Sequence, residues 1–311
     1  MKKHKICKIL LVILAIFLCV AFYELLGICV AYKKQPEVSN TTKKETKNGS
    51  WNECSENTER AVIIEKNPEA LLQRVRLIKN AKKEIILSTF AFQSDESGKL
   101  ILGALHDAAD RGVHIRLLVD GMESWIDMEG NPYFYGLSSH ENVEIKLYNK
   151  ANPLKPWKMM GRMHDKYLIA DGKRYILGGR NTYNYFLGDF PGHKNYDRDV
   201  LVVCDEPEKE NSVNQLLEYF ETIWEQEDSD YFHDNKKLAN RKSVKNAVLE
   251  LQNGYQKYFE ENKERICDTD YTDETFETEK IALVSNPIHT GPKEPVVWYQ
   301  LGELMKNAKE R

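Results

Sequence analysis

The sequence predicts an α/β fold with a mixed, largely parallel sheet flanked by helices and preceded by one N-terminal transmembrane helix. Two observations lead to this prediction. From about residue 60 onward, short apolar runs typical of strands alternate with amphipathic stretches typical of helices, and this alternation is the pattern of βαβ units. Before that point, residues 9–32 form an almost continuous apolar run. The composition, 41% hydrophobic and 30% charged residues, is that of an ordinary globular body.

Residues 1–32 are predicted to be a single-pass anchor in the cell membrane. The apolar run is interrupted only by Glu24, and about 24 helical residues at roughly 1.5 Å each are long enough to cross a bilayer. A cleaved signal peptide is the alternative, but the run is long for one and no small-residue cleavage site follows it. Lysines before the run favour an extracytoplasmic body, although the lysines that follow it weaken this argument.

The rest of the chain is acidic, which argues against nucleic acid as a partner. Without the four lysines of the first eight residues, the chain has 40 basic and 48 acidic residues. A protein that binds phosphate backbones needs a basic surface. We therefore expect basic groups only in local pockets.

A polar, aperiodic linker at 33–59 separates the anchor from a body at 60–227 in which strands and helices alternate. The predicted strands cover residues 61–66, 84–92, 113–121, 143–149, 166–171, 174–179 and 199–205. The predicted helices cover residues 68–83, 98–112 and 212–226.

One stretch of the body, "GRMHDKYLIADGKRYILGGRN" at 161–181, combines residue types suited to attack on phosphorus. His164 and Lys166 are two residues apart, so on a strand both side chains point to the same face. An imidazole and an ammonium placed together can act as nucleophile and phosphate clamp. Gly178 and Gly179 at the end of the next strand allow an anion close to the backbone, and Asn181 adds an amide donor.

This stretch resembles the HKD motif of the phospholipase D superfamily. The motif reads His164-x-Lys166-x4-Asp171, followed by Gly178-Gly179-x-Asn181. On this basis, residues 60–227 resemble one repeat of a bacterial cardiolipin synthase-like member. The sequence departs from many members at Gly179, where they have a serine.

The resemblance implies a role for each matching residue. His164 would attack phosphorus and become a phosphohistidine, while Lys166 and Asn181 would hold the non-bridging oxygens. Asp171 matches the aspartate of the motif and is expected at the catalytic site. Asp199 matches an acidic position that orients the nucleophilic histidine in the family. No metal or other cofactor is implied.

The C-terminal part of the sequence predicts the start of a second, incomplete repeat at 281–311. "LIKNAKKE" at 77–84 is similar to "LMKNAKER" at 304–311, and each follows an apolar run that is expected to be a strand, the second at 281–287. Residues 228–280 would then be a helical and acidic connector between the repeats. Two unrelated lysine-rich helices are the alternative.

The leading functional prediction is a phosphodiesterase or phosphatidyltransferase that acts on phospholipids at the membrane. A second proton-transfer group is needed beside His164, and a homodimer or a chain with the second motif would supply it, with His193 as the alternative. The rival predictions are a nuclease-type phosphodiesterase that works as a homodimer and a non-catalytic domain that binds lipid or a partner. Residues 152–162, with two lysines, an arginine and a tryptophan, are either a lipid-contacting segment or an ordinary connecting loop.

Overall fold

The computed structural model describes residues 2–49, 59–204, 206, 210–233, 236–278 and 281–308. These residues fall into two compact units. One unit is drawn from residues 1–48, 151–162 and 284–311, and the other from residues 49–150 and 163–283.

The second unit is built on one sheet with helices on both faces. The strands of the described residues are β1 (Glu59–Ile64), β2 (Glu84–Thr89), β3 (His114–Asp120), β4 (Val143–Tyr148), β5 (Tyr167–Ala170), β6 (Arg174–Gly178), β7 (Asp199–Cys204), β8 (Ser229–Tyr231) and β9 (Phe276–Thr278). The α-helices of both units together are α1 (Lys2–Ala31), α2 (Asn40–Asn48), α3 (Asn67–Asn80), α4 (Glu96–Asp110), α5 (Gly121–Asp127), α6 (Pro132–Ser138), α7 (Ser212–Trp224), α8 (Lys242–Glu261), α9 (Lys263–Cys267) and α10 (Val296–Asn307). Of these, α3 to α9 belong to the second unit. All predicted strands up to β7 and all predicted body helices are confirmed, with ends that shift by a few residues. Asp205, the last residue of the predicted β7, lies outside the described residues.

The sheet is mixed, as expected, but it is not largely parallel. Its strand order is β8-β4-β3-β2-β5-β6-β7-β1-β9. Only the pairs β2–β3 and β3–β4 are parallel, whereas the other described pairs are antiparallel. Parallel neighbours need a long crossover connection, usually a helix, and such helices connect β2 to β3 and β3 to β4. β5 and β6 instead form a hairpin, so they join the sheet antiparallel to their neighbours.

Alternate residues of the central strand β3 face the two helical layers. Ile115 and Leu117 belong to the main apolar core, on the side covered by α3, α4, α6 and α8. Arg116 points the other way, and its guanidinium lies 4.8 Å from the ring centroid of Phe220 in α7. Gly103 lets α8 approach α4, since a Cβ at this position would lie 2.7 Å from the carbonyl oxygen of Leu251.

The region predicted as a connector, 228–280, is helical as expected but is part of the same unit. One face of α8 is buried in the core beside α4 and α6. Its buried side chains are Val244, Ala247, Leu251, Tyr255 and Phe259. β8 and β9, which were not predicted, extend the two edges of the sheet. Residues 234, 235, 279 and 280 lie outside the described residues.

The apolar run at 281–287, expected to be a strand, has no regular secondary structure. The outer strand on this side of the sheet is β9, which pairs with β1, and residues 281–287 do not add to it. Leu283 instead donates its backbone N–H to Oε1 of Gln215 at 2.8 Å. The helix expected near 304–311 is present as α10, which begins earlier. A second repeat remains a prediction.

The first unit contains α1, α2, α10 and a short 3₁₀ helix at Pro156–Lys158. Within α1, Lys5–Ala31 has a mean hydropathy of 2.9 over its most apolar window, which is long and apolar enough to cross a membrane. The linker at 33–59 is not aperiodic throughout, because α2 forms within it. Ser39 begins this helix by accepting the backbone N–H of Thr42 on its Oγ at 3.1 Å. Residues 50–58 of the linker lie outside the described residues.

Candidate active site

His164 lies in the second unit, immediately before β5, with its side chain exposed. Its ring packs edge-on against Phe90, with the ring centroids 4.6 Å apart. Neither ring nitrogen has a hydrogen-bond partner in the described part of the chain. The imidazole is therefore held in place by an apolar contact while its nitrogens remain open to a ligand.

Lys166 lies two residues further on and is buried, with 5% of its surface exposed. Its Nζ donates a hydrogen bond to the backbone oxygen of His164 at 2.6 Å and lies 5.3 Å from the centroid of the Phe90 ring. Burial lowers the pKa of Lys166 to about 8, and the carboxylates of Asp165 and Asp197 oppose this effect. The side chain therefore remains mostly charged near pH 7, and an anion bound beside it would stabilise that charge further.

Asn181 follows β6 and is buried at the end of β2. Its Oδ1 accepts the backbone N–H of Ala91 at 3.1 Å, which fixes the amide and leaves its NH₂ group as a donor. Ala91 is the neighbour of Phe90, whose ring touches His164 and Lys166. Residues 90 and 91 therefore bring together all three side chains that were predicted to bind and attack the phosphate.

The electrostatics around His164 favour the neutral imidazole. Partial burial lowers its pKa below the ordinary value of 6.5, the charge of Lys166 lowers it further, and Asp165 opposes both. The carboxylate of Asp165 is itself held by the hydroxyl of Tyr219 at 2.7 Å. A neutral imidazole keeps a lone pair for nucleophilic attack, and the ammonium and amide beside it can donate to phosphate oxygens.

The structure does not bring Asp171 to this cluster. Asp171 lies at the opposite end of β5, in the β5–β6 turn, with φ of 55°. Its carboxylate accepts the backbone N–H groups of Lys82, Lys83 and Glu84 at 2.7–3.1 Å. Since its oxygens are engaged with three backbone donors, its role is to tie the turn to the start of β2 and not to take part in the chemistry.

Asp199 also differs from its expected role as the partner of the histidine. It is buried, and its Oδ2 accepts from Arg74 at 2.9 Å and lies 3.3 Å from Nη1 of Arg180. Its Oδ1 is buried and has no hydrogen-bond partner among the described residues. The described contacts of Asp199 are therefore with two arginines, and none is with His164.

The two glycines of the motif are needed because carboxylates lie against them. A Cβ at Gly178 would lie 2.0 Å from Oδ1 of Asp199, and a Cβ at Gly179 would lie 2.0 Å from Oδ2 of Asp197. Acidic side chains thus cover the positions that were expected to lie open to phosphate. Binding of phosphate by these glycines remains a prediction.

Asp197 is one of the residues of the site that the sequence analysis missed, together with Phe90 and Asp165. Asp197 contacts Gly179 and is near enough to Lys166 to raise the pKa of that lysine. A signal was present, since Asp197 and Asp199 are two residues apart and an extended chain places such side chains on the same face. His193, the alternative proton-transfer group, packs against the ring of Tyr185 with centroids 5.5 Å apart.

Residues 74–224 match the protein family described as "Cardiolipin synthase, PLD-like domain". The chain is 30% identical over 212 residues to an uncharacterized protein of Helicobacter pylori, covering 63% of this chain and 39% of that protein. It is 29% identical over 171 residues to cardiolipin synthase C of Escherichia coli, a match that covers 50% of this chain and 34% of that protein. Cardiolipin synthase 1 of Staphylococcus aureus is 34% identical over 117 residues, a match that covers 37% of this chain and 23% of that protein. The chain thus spans well under half the length of each of these relatives.

Solved structures with a similar chain path include NucT from Helicobacter pylori, with a TM-score of 0.44 and 18% identity over 56% of this chain and 99% of that one. A phosphatidylserine synthase from Haemophilus influenzae has a TM-score of 0.46 and 17% identity over 71% of this chain and 48% of that one. The family match and the cardiolipin synthase relatives show that residues 74–224 are a phospholipase D-like domain.

Proposed function

We propose that this protein is a membrane-anchored phosphodiesterase or phosphatidyltransferase that acts on phospholipids through a covalent phosphohistidine. The proposal rests on one observation: His164 and Lys166 lie against the ring of Phe90, and Asn181 binds the next residue, Ala91. The imidazole has no partner in the described part of the chain, the ammonium is buried, and the amide is fixed with the NH₂ group as donor. These are the groups that a phosphodiester needs for attack and for charge stabilisation.

In the first step, the lone pair of His164 attacks phosphorus, so that a P–N bond forms and the P–O bond to the leaving alcohol breaks. Lys166 and Asn181 donate to the non-bridging oxygens, whose negative charge they stabilise in a partly buried site. The leaving alkoxide takes a proton from a general acid. In the second step, water or a lipid hydroxyl gives its proton to a general base and attacks phosphorus, so that a P–O bond forms, the P–N bond breaks and the imidazole of His164 is released, which gives hydrolysis or phosphatidyl transfer.

Three features support a phospholipid as the substrate. The apolar helix Lys5–Ala31 is suited to hold the chain at a bilayer. The acidic balance of the remaining chain disfavours a nucleic acid. The relatives include proteins named cardiolipin synthases. We further propose that the anchor is single-pass in the cell membrane and that the catalytic body is extracytoplasmic, in line with the lysines before the helix.

We also propose that a second polypeptide supplies the general acid, either another copy of this chain or a chain with a second motif. In the described residues, the ring contact of His164 is with Phe90 and not with another histidine. The chemistry nevertheless needs a proton donor for the leaving group and a base for the second step. In a pair related by a twofold axis, His164 of each copy could serve the other.

Replacing the nucleophile should abolish turnover. In His164→Asn, we expect release of the headgroup from radiolabelled phosphatidylglycerol in mixed micelles to fall by about three orders of magnitude or more, because no covalent intermediate forms. The matched control is His193→Asn, which should stay within about threefold of the unchanged protein. Comparable turnover in a folded His164→Asn protein would exclude the covalent mechanism, and a loss in His193→Asn would make that residue the proton donor.

The dependence of kcat/KM on pH should report His164 and Lys166. The reaction needs a neutral His164, whose pKa is lowered below 6.5, so the rate should reach its plateau by mildly acidic pH. It also needs a charged Lys166, whose pKa is about 8, so the rate should fall as the pH rises through that value. In Lys166→Arg, the alkaline limb should move above roughly pH 10, because arginine keeps its charge. An alkaline limb that stays near pH 8 in this variant would assign it to another group.

Pairing of two copies can be tested by mixing. If two copies share one composite site, equal amounts of unchanged protein and His164→Asn protein, allowed to exchange subunits, should show about a quarter of the activity of the unchanged protein at the same total concentration. Independent chains would instead show about half. Mixtures with His193→Asn serve as the control and should show no such deficit. If the mixture with His164→Asn keeps half of the activity of the unchanged protein, two copies do not share one site. The assignment of His164 as the nucleophile would still stand.

A further inference from the structure

A segment of the first unit, residues 151–162, packs directly on the C-terminal part of α1. The hydroxyl of Tyr23 donates to the backbone oxygen of Leu154 at 3.0 Å. Gly27, one turn further along, faces Pro156 so closely that a Cβ there would lie 2.4 Å from Cγ of the proline. The segment is therefore docked against the apolar helix itself.

These contacts fix the depth of the segment if α1 crosses a bilayer, as in the proposed function on which this inference rests. Counted back from Ala31 at about 1.5 Å per residue, Gly27 lies about 6 Å and Tyr23 about 12 Å before the end of the helix. A hydrocarbon core about 30 Å thick takes up roughly 20 helical residues, which from Ile9 would reach Ile28. Gly27 then lies about 2 Å and Tyr23 about 8 Å inside one edge of the hydrocarbon core, and the segment that touches them lies in the outer part of that leaflet.

The side chains of the segment suit that depth. Leu154 is 76% exposed, Met160 57% and Trp157 45%, although large apolar side chains are disfavoured in water. Lys155 is exposed and Lys158 half-buried between them. Apolar and aromatic side chains interspersed with lysines are typical of segments that lie in the boundary between acyl chains and phosphate headgroups.

Glu24 gives a second, independent indication that the face of α1 that contacts residues 151–162 stays covered by protein. It is the acidic residue of the candidate span, and both oxygens of its carboxylate are buried, with no hydrogen-bond partner in the described residues. The most apolar window of the helix is otherwise exposed. Ionisable residues within membrane spans face protein and not lipid, so the packed side of α1 is the side that carries Glu24.

We propose that residues 151–160 are a lipid-contacting segment. Leu154, Trp157 and Met160 insert into the leaflet at the C-terminal end of α1, and Lys155 and Lys158 contact the phosphate groups of its lipids.

The test measures the depth of spin labels on the full chain in vesicles of phosphatidylethanolamine and phosphatidylglycerol. Native cysteines are replaced by alanine, and single cysteines are introduced by Leu154→Cys and Met160→Cys. Leu14→Cys in α1 and Lys44→Cys in α2 are the references for lipid and water. All four positions are exposed, so a label leaves the packing intact. We expect the ratio of oxygen to nickel-chelate accessibility at Leu154 and Met160 to exceed that at Lys44 and to approach that at Leu14.

The references separate the failure of this inference from the failure of the proposed membrane function. If the labels at 154 and 160 match Lys44 while Leu14 is in lipid, the segment is in water and the inference is overturned, with the membrane anchor intact. If Leu14 also behaves as a water-exposed position, the proposed anchor fails and the inference fails with it. Two label positions guard against a local effect of either substitution.

Discussion

The structure around the candidate site depends on one buried carboxylate, that of Asp199. It binds Arg74 of α3 and lies beside Arg180, which follows β6. Arg180 in turn donates to the backbone oxygens of Ile64 and Glu65. One acidic group thus links β7, α3, the end of β6 and the end of β1. Removing one member of such a buried pair leaves an uncompensated charge, which typically costs about 3–5 kcal/mol.

This network positions the site because Asn181 is the next residue after Arg180. With Arg180 held, Asn181 reaches the end of β2 and accepts from Ala91, and the Phe90 ring beside it supports His164 and Lys166. Lys166 is buried with one carbonyl contact, and burial lowers its pKa even though Asp165 and Asp197 oppose this effect. A phosphate oxygen beside the ammonium would stabilise its charge, which links the buried lysine to the class of ligand proposed.

The elements of the fold were predictable because burial leaves a periodic pattern, but the partners of individual side chains were not. Asp171 was predicted as the last residue of a strand and lies in the turn just after β5, and the pattern could not show that its carboxylate binds the backbone at the start of β2. The sequence predicts that Asp199 begins a strand, but it does not show that Arg74 and Arg180 contact its carboxylate. α2 was missed because its turns are polar, and it forms where Ser39 and Thr42 bind Glu294 of the same unit. The apolar run at 281–287 looked like a strand, but an apolar run does not show whether a segment pairs with a sheet, and Leu283 binds the side chain of Gln215 instead.

The central claim is that His164 carries a covalent phosphoryl intermediate, and trapping that intermediate tests it most directly. The full chain in mixed micelles would be given phosphatidylglycerol and quenched during turnover with denaturant at neutral to mildly alkaline pH, where both the P–N bond and the acyl esters survive. Peptides would then be sequenced by mass spectrometry. The account predicts a phosphatidyl adduct on the peptide that contains His164, located on that residue. An adduct on a different residue, or none on a chain that is turning over, would contradict it.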